Sequence, residues 1–103
     1  MVLEARGLDV TPATIASFER AGDARSAAIL ARILADEIRH VAAGTCWFRY
    51  GCDSAGFAAV PRWQALVRRY FHGVLKPPFN DSARDEAGLS REWLAGVAGV
   101  GFA

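Results

Sequence analysis

From Ala24 to about Tyr50 the chain has no proline, and Leu30, Ile33, Glu37, His40, Gly44 and Trp47 follow one another at spacings of 3, 4, 3, 4 and 3. That is the seam periodicity of packed helices, and it predicts one long helix whose buried stripe passes through these six positions. Asp23 is placed to cap its start, and the turn residues GCDSAG, 51 to 56, end it. Upstream, LEARG reads as a helical stub that Gly7 closes in a left-handed cap. DVTPATIASFERAGD then opens a second helix with Thr11 as N-cap and Pro12 in its first turn, closed by Gly22.

Downstream, Pro61 begins a helix, PRWQALVRRYFHG, with Trp63, Leu66, Val67 and Tyr70 at helical spacing and Gly73 at its end. The prolines of VLKPPFN hold the next stretch extended. SARDEAG and SREWLAGV follow as short helical pieces, the second with Ser90 as N-cap. No alternating apolar and polar run bounded by hairpin residues interrupts this series. The expectation is an all-α protein, a single helical domain over residues 1–103.

Charge changes this picture little. Twelve basic and 11 acidic residues nearly cancel, which argues against a surface designed for nucleic acid or for anionic membranes. LVRRYFHGVLKPPFN does mix arginines with aromatics as a nucleic-acid groove would, but Trp63, Leu66, Val67 and Tyr70 are more simply core and the arginines a solvated face. His72, beside a helix-ending glycine, reads as a partner of the helix dipole. Cys46 and Cys52 fit no zinc or redox spacing and read as reduced thiols. The start lacks a signal-peptide pattern, and no window approaches the ~20 apolar residues of a membrane span, so a soluble cytoplasmic protein is expected. Glycines occur singly at helix ends, and no nucleophilic serine motif, phosphate loop or dinucleotide fingerprint is present.

The chemistry then rests on Glu37 and His40. A carboxylate on a buried stripe costs several kcal/mol unless it has a partner, and a metal ion is one such partner. Side chains at i and i+3 project side by side, so a carboxylate and an imidazole there can reach the same cation. The alternative is that the two pair with each other, or with Arg39 or Arg32, on a partly wet face. Gly44, one turn on, leaves room for another helix to approach. Asp36 and Asp9 are candidates for acids that orient His40 or a bound water, with solvated helix acids as the alternative.

Three blocks, MVLEARGLDVTP, GDARSAAILARILADEIRHVAAGTCWFRY and LVRRYFHGVLKPPFN, resemble the C-terminal half of an uncharacterised bacterial family of ferritin-like proteins. Ferritin-like proteins bind two metal ions in a four-helix bundle, using one Glu from each of two helices and Glu-x-x-His from each of the other two. The resemblance implies that Glu4 is the single carboxylate and that Glu37 and His40 are the Glu-x-x-His of the last core helix. It further implies iron or manganese as cofactor, and oxidation or hydroxylation with dioxygen as the reaction class, on a small-molecule substrate the sequence does not specify. A related di-iron enzyme hydroxylates a modified adenosine in transfer RNA, which leaves nucleic acid as a minor substrate class. The helices that would carry the other ligands are not in this sequence. Two copies sharing a site about a two-fold axis, as a homodimer, would supply them. The rival is a truncated or non-catalytic helical interaction module with a vestigial half-site.

Overall fold

The computed structural model describes residues 1–71 and 75–97. Among them the elements are α1 (Val2–Arg20), α2 (Ala24–Ala55), α3 (Ala59–Tyr70), α4 (Asp81–Glu86) and a 3₁₀ turn (Arg91–Leu94), with no strand. Helices α1 and α2 form an antiparallel hairpin joined by Ala21, Gly22 and Asp23. Gly22 turns the chain at φ +80, and Asp23 caps α2 by accepting hydrogen bonds from the Ser26 backbone N–H at 3.0 Å and hydroxyl at 2.7 Å. These bonds hold the Asp23 carboxyl below its ordinary value of 3.8. The expected end of the third helix, at His72 and Gly73, lies outside the described residues.

The expected break at Gly7 does not occur. The stub and the helix after it are one 19-residue helix that passes through both Gly7 and Pro12. Proline lacks the N–H that would satisfy the carbonyl four residues back, which here belongs to Leu8. That carbonyl instead accepts from the Asn80 side-chain amide at 3.0 Å. Thr11 is no cap: its hydroxyl donates within the helix to the Gly7 carbonyl at 2.6 Å. Tertiary contact thus compensates for a residue that, read locally, starts a new helix.

The long helix also runs one turn beyond the expected end, to Ala55, and closes at Gly56 with φ +80. Cys52 is buried against the rest of the fold, so the last turn is held by packing. The buried stripe of α2 is not the predicted one. It comprises Ala27, Val41, Thr45 and Cys52, with Leu34, Ile38 and Phe48 packed partly against the core. The predicted seam lies on the adjacent face: Ile33 is 51% and Trp47 72% exposed, His40 is exposed, and Leu30, Glu37 and Gly44 are half-buried.

Leu8, Val41, Leu89, Trp93 and Val97 are the most completely buried large side chains. Trp93 meets Trp63 edge-on at 5.6 Å between centroids, with the Arg49 guanidinium 5.0 Å over its ring. The C-terminal elements therefore close over α2 and α3. Trp63 and Val67 are core and Leu66 half-buried, as expected, whereas Tyr70 is 62% exposed. The attachment of α4 is polar. Arg84 donates through Nε to Asp9 Oδ1 at 2.9 Å and through Nη2 to Oδ2 at 2.6 Å, and the Asn80 backbone N–H adds a bond to Oδ1 at 2.9 Å. After α4 the chain turns at Gly88, φ +83, where a Cβ would lie 3.2 Å from Thr45 Cγ2. No described helix is long and apolar enough to cross a membrane.

Candidate metal centre

Glu37 and His40 come together on α2 because 3.6 residues per turn set positions i and i+3 side by side. His40 Nδ1 lies 3.3 Å from Glu37 Oε2. The His40 side chain is 66% exposed and that of Glu37 26%. The pair is therefore at the rim of the hairpin and not within the core. The buried-carboxylate reasoning loses its premise, because water can solvate most of what α1 leaves uncovered.

Gly44 does permit close approach, and the element that takes the space is the start of α1: a Cβ at Gly44 would be 3.2 Å from Met1 Cγ. Glu4 follows in the first turn of α1, exposed, where a negative charge suits the helix dipole. Its helix is long and packed along α2, so Glu4 sits on a firm support and not on the short stub the sequence predicts. Glu4 also lines an open groove of about 640 Å³ together with Leu3, Phe48, Trp63, Leu66 and Tyr70. Among the described residues, no three His, Cys, Asp or Glu side chains gather closely enough to hold an ion. Glu37 and His40 meet, and Glu4 does not complete a three-ligand group with them.

The two candidate orienting acids have other partners. Asp9 is 7% exposed and gives both oxygens to Arg84 and Asn80, so it has no part in positioning His40. Asp36 pairs with Arg32 at 3.7 Å and, more closely, with Arg39, all on α2. Cys46 is exposed and Cys52 buried, both free. Sequence reasoning missed Arg84 and Asn80 altogether. The one signal that could have found Asn80 is the Asn-Asp-Ser opening of α4, which suits an N-cap; in the structure Asn80 accepts from the Ala83 N–H at 3.3 Å.

Fold and rim together define an all-α protein built on a helical hairpin, with a carboxylate–imidazole pair exposed on the longer arm. Residues 1–95 match a family described as a protein of unknown function, DUF455, and the chain belongs to that family. It is similar to an uncharacterized protein of Haemophilus influenzae, with 36% identity over 93 residues that make up 90% of this chain and 32% of that protein. The chain thus spans about a third of the length of that relative. No solved structure matches it.

Proposed function

We propose that the chain is half of a ferritin-like metal-binding bundle, in which Glu4, Glu37 and His40 are ligands to iron or manganese and the remaining ligands come from a second copy. The observation that carries this reading is the Glu37–His40 pair, 3.3 Å apart, on a face flanked by Ile33 at 51% and Trp47 at 72% exposure. Donors suited to a hard or borderline cation stand among apolar side chains that a solvated helix face has no need of. Oxygen and imidazole fit iron or manganese in kind but not in number, since a two-metal bundle site draws on six side chains and this chain offers three. Glu37 and His40 would hold the ion from α2, and Glu4, which does not gather with them within one chain, would join them only in the assembled pair. A bound ion pair of this type supplies dioxygen chemistry for oxidising an organic substrate. The chain's own part is to fix the carboxylates and imidazole on two packed helices and, once covered, to exclude water from them.

A second reading has its own support. Leu3 at 76%, Trp47 at 72% and Tyr70 at 62% exposure are what a non-catalytic helical interaction module would present to a partner. Metal content separates the two. Chelator-treated protein, supplied with iron(II) or manganese(II) and analysed for metal after desalting, is expected to approach one ion per chain, and His40→Ala and Glu37→Ala are expected to lose it with helicity unchanged. A folded wild type that retains neither metal removes the oxidase reading and leaves the interaction module.

A further inference from the structure

Once the buried stripe of α2 is assigned, a second stripe remains uncovered. Ile29, Ile33, Asp36, His40, Ala43 and Trp47 follow at spacings of 4, 3, 4, 3 and 4. All are exposed except Asp36, whose side chain is 37% exposed. In heptad terms Ile33, His40 and Trp47 are a positions and Ile29, Asp36 and Ala43 are d positions. The stripe extends about 27 Å along the helix at 1.5 Å per residue.

We propose that this stripe is the interface for a second copy of the chain, packed antiparallel about a two-fold axis level with Ile38. Antiparallel coiled coils layer a positions against d positions, and here the layers match in size and polarity. Ile33 meets the partner's Ala43, His40 meets the partner's Asp36, and Ile29 meets the partner's Trp47, each layer occurring twice by symmetry. A large residue faces a small one in the first, an acid faces an imidazole in the second, and the third joins two exposed apolar groups. Shifting the register by one heptad, so that Ile33 meets the partner's Tyr50, sets Trp47 on the partner's Asp36 and leaves His40 against the partner's Ala43, where no acid faces it. Self-complementarity therefore selects both the occupant and the register.

The same arrangement brings Glu37, on the flank of the seam, toward the partner's Glu37. Like charges across an axis weaken association, and a divalent cation between them reverses the sign. On this point alone the inference rests on the metal reading. It follows that the seam holds the copies together and manganese tightens them.

Sedimentation equilibrium on the chelator-treated chain, with and without manganese(II) chloride, tests both statements. A dimer at micromolar concentration is expected, weakened at least about 100-fold by Ile33→Asp or Trp47→Asp with unchanged helicity, since both side chains are exposed in the single chain. In a Cys46→Ser background, Ile33→Cys with Ala43→Cys is expected to cross-link between copies on mild oxidation, whereas Ile33→Cys with Trp47→Cys is not. Manganese is expected to tighten the wild type about tenfold, and Glu37→Gln is expected to dimerise more tightly without metal and to lose the response. A dimer indifferent to manganese keeps the interface and ends the shared-cation reading. A monomer under both conditions overturns the interface, as does a dimer that survives both aspartate substitutions. A monomer that binds manganese leaves the metal reading standing without a second copy.

Discussion

The Asp9–Arg84 pair is the joint by which the C-terminal elements attach to the hairpin, and removing one member should be the most costly single polar change in the molecule. Their side chains are 0% and 4% exposed, with two short bonds of 2.9 and 2.6 Å in a bidentate geometry. Truncating one partner of such a pair leaves the other charge buried and uncompensated, at a cost of about 3–5 kcal/mol. A domain of this size has about 5–15 kcal/mol in total, so Asp9→Ala should remove about a fifth of it or more. At about 4–8 °C per kcal/mol for a domain of 60–100 residues, a 3 kcal/mol loss lowers Tm by about 12–24 °C. The substitution also strips an acceptor from the Asn80 N–H, which adds to the loss. Removing both charges while keeping volume, as Asp9→Leu with Arg84→Met, should recover most of the stability, because the desolvation cost of both ions goes with them. Urea and thermal unfolding followed by circular dichroism at 222 nm, on the two single variants and the double, give the coupling energy directly. If Asp9→Ala shifts Tm by less than about 3 °C, the pair is not buried in solution and the polar attachment of α4 is wrong.

Three further outcomes follow from particular contacts. Pro12→Ala restores an N–H for the Leu8 carbonyl and makes the Asn80 amide redundant there, so Asn80→Ala should cost about 1–2 kcal/mol in the wild type and measurably less beside Pro12→Ala; equal costs in a urea-denaturation cycle would refute the compensation. The Asp23 carboxyl is held low by the Ser26 N–H and hydroxyl, so its contribution is complete above the ordinary value of 3.8 and lost as pH falls through the lower folded value; Asp23→Ala should therefore lower Tm at pH 7 and cost less near pH 2. Because His40 is exposed and Glu37 only part-buried, Glu37→Leu with His40→Ala should leave metal-free stability within about 0.5–1 kcal/mol, and a larger loss by chemical denaturation would show that the pair holds the hairpin together.

What could be read from the sequence was the set of helices and most of the punctuation. Asp23 and Gly56 act within a few residues of themselves, so their cap and turn chemistry is local and visible. Pro12 and Gly7 look like equally good local signals, yet α1 runs through both, because Asn80, 72 positions from Leu8, takes the carbonyl that proline leaves unbonded. Nothing near Pro12 announces that donor. The Asp9–Arg84 joint is hidden for the same reason, its members lying 75 positions apart. The pairing of Glu37 with His40 was legible, since i,i+3 spacing is a property of the helix itself. Their burial was not.

The error over burial has a single physical source, and it bears on function. An alanine-rich helix with apolar residues on most of its circumference carries several stripes of seam spacing at once, and periodicity sets the spacing without choosing the phase. The choice is made by which face α1, α4 and the 3₁₀ turn can reach. They take the Ala27–Val41–Thr45–Cys52 face, which matches large and small groups on both sides, as at Thr45 against Gly88. That leaves Ile29, Ile33 and Trp47 on the other side at half to three-quarters exposure. A helix that uses only one of its two stripes in its own core has the second available for another helix; His40 lies within that second stripe and Glu37 on its flank. Under the proposed two-fold packing these donors are enclosed only when a second copy covers them, so metal retention should fall with any substitution, such as Ile33→Asp, that separates the copies.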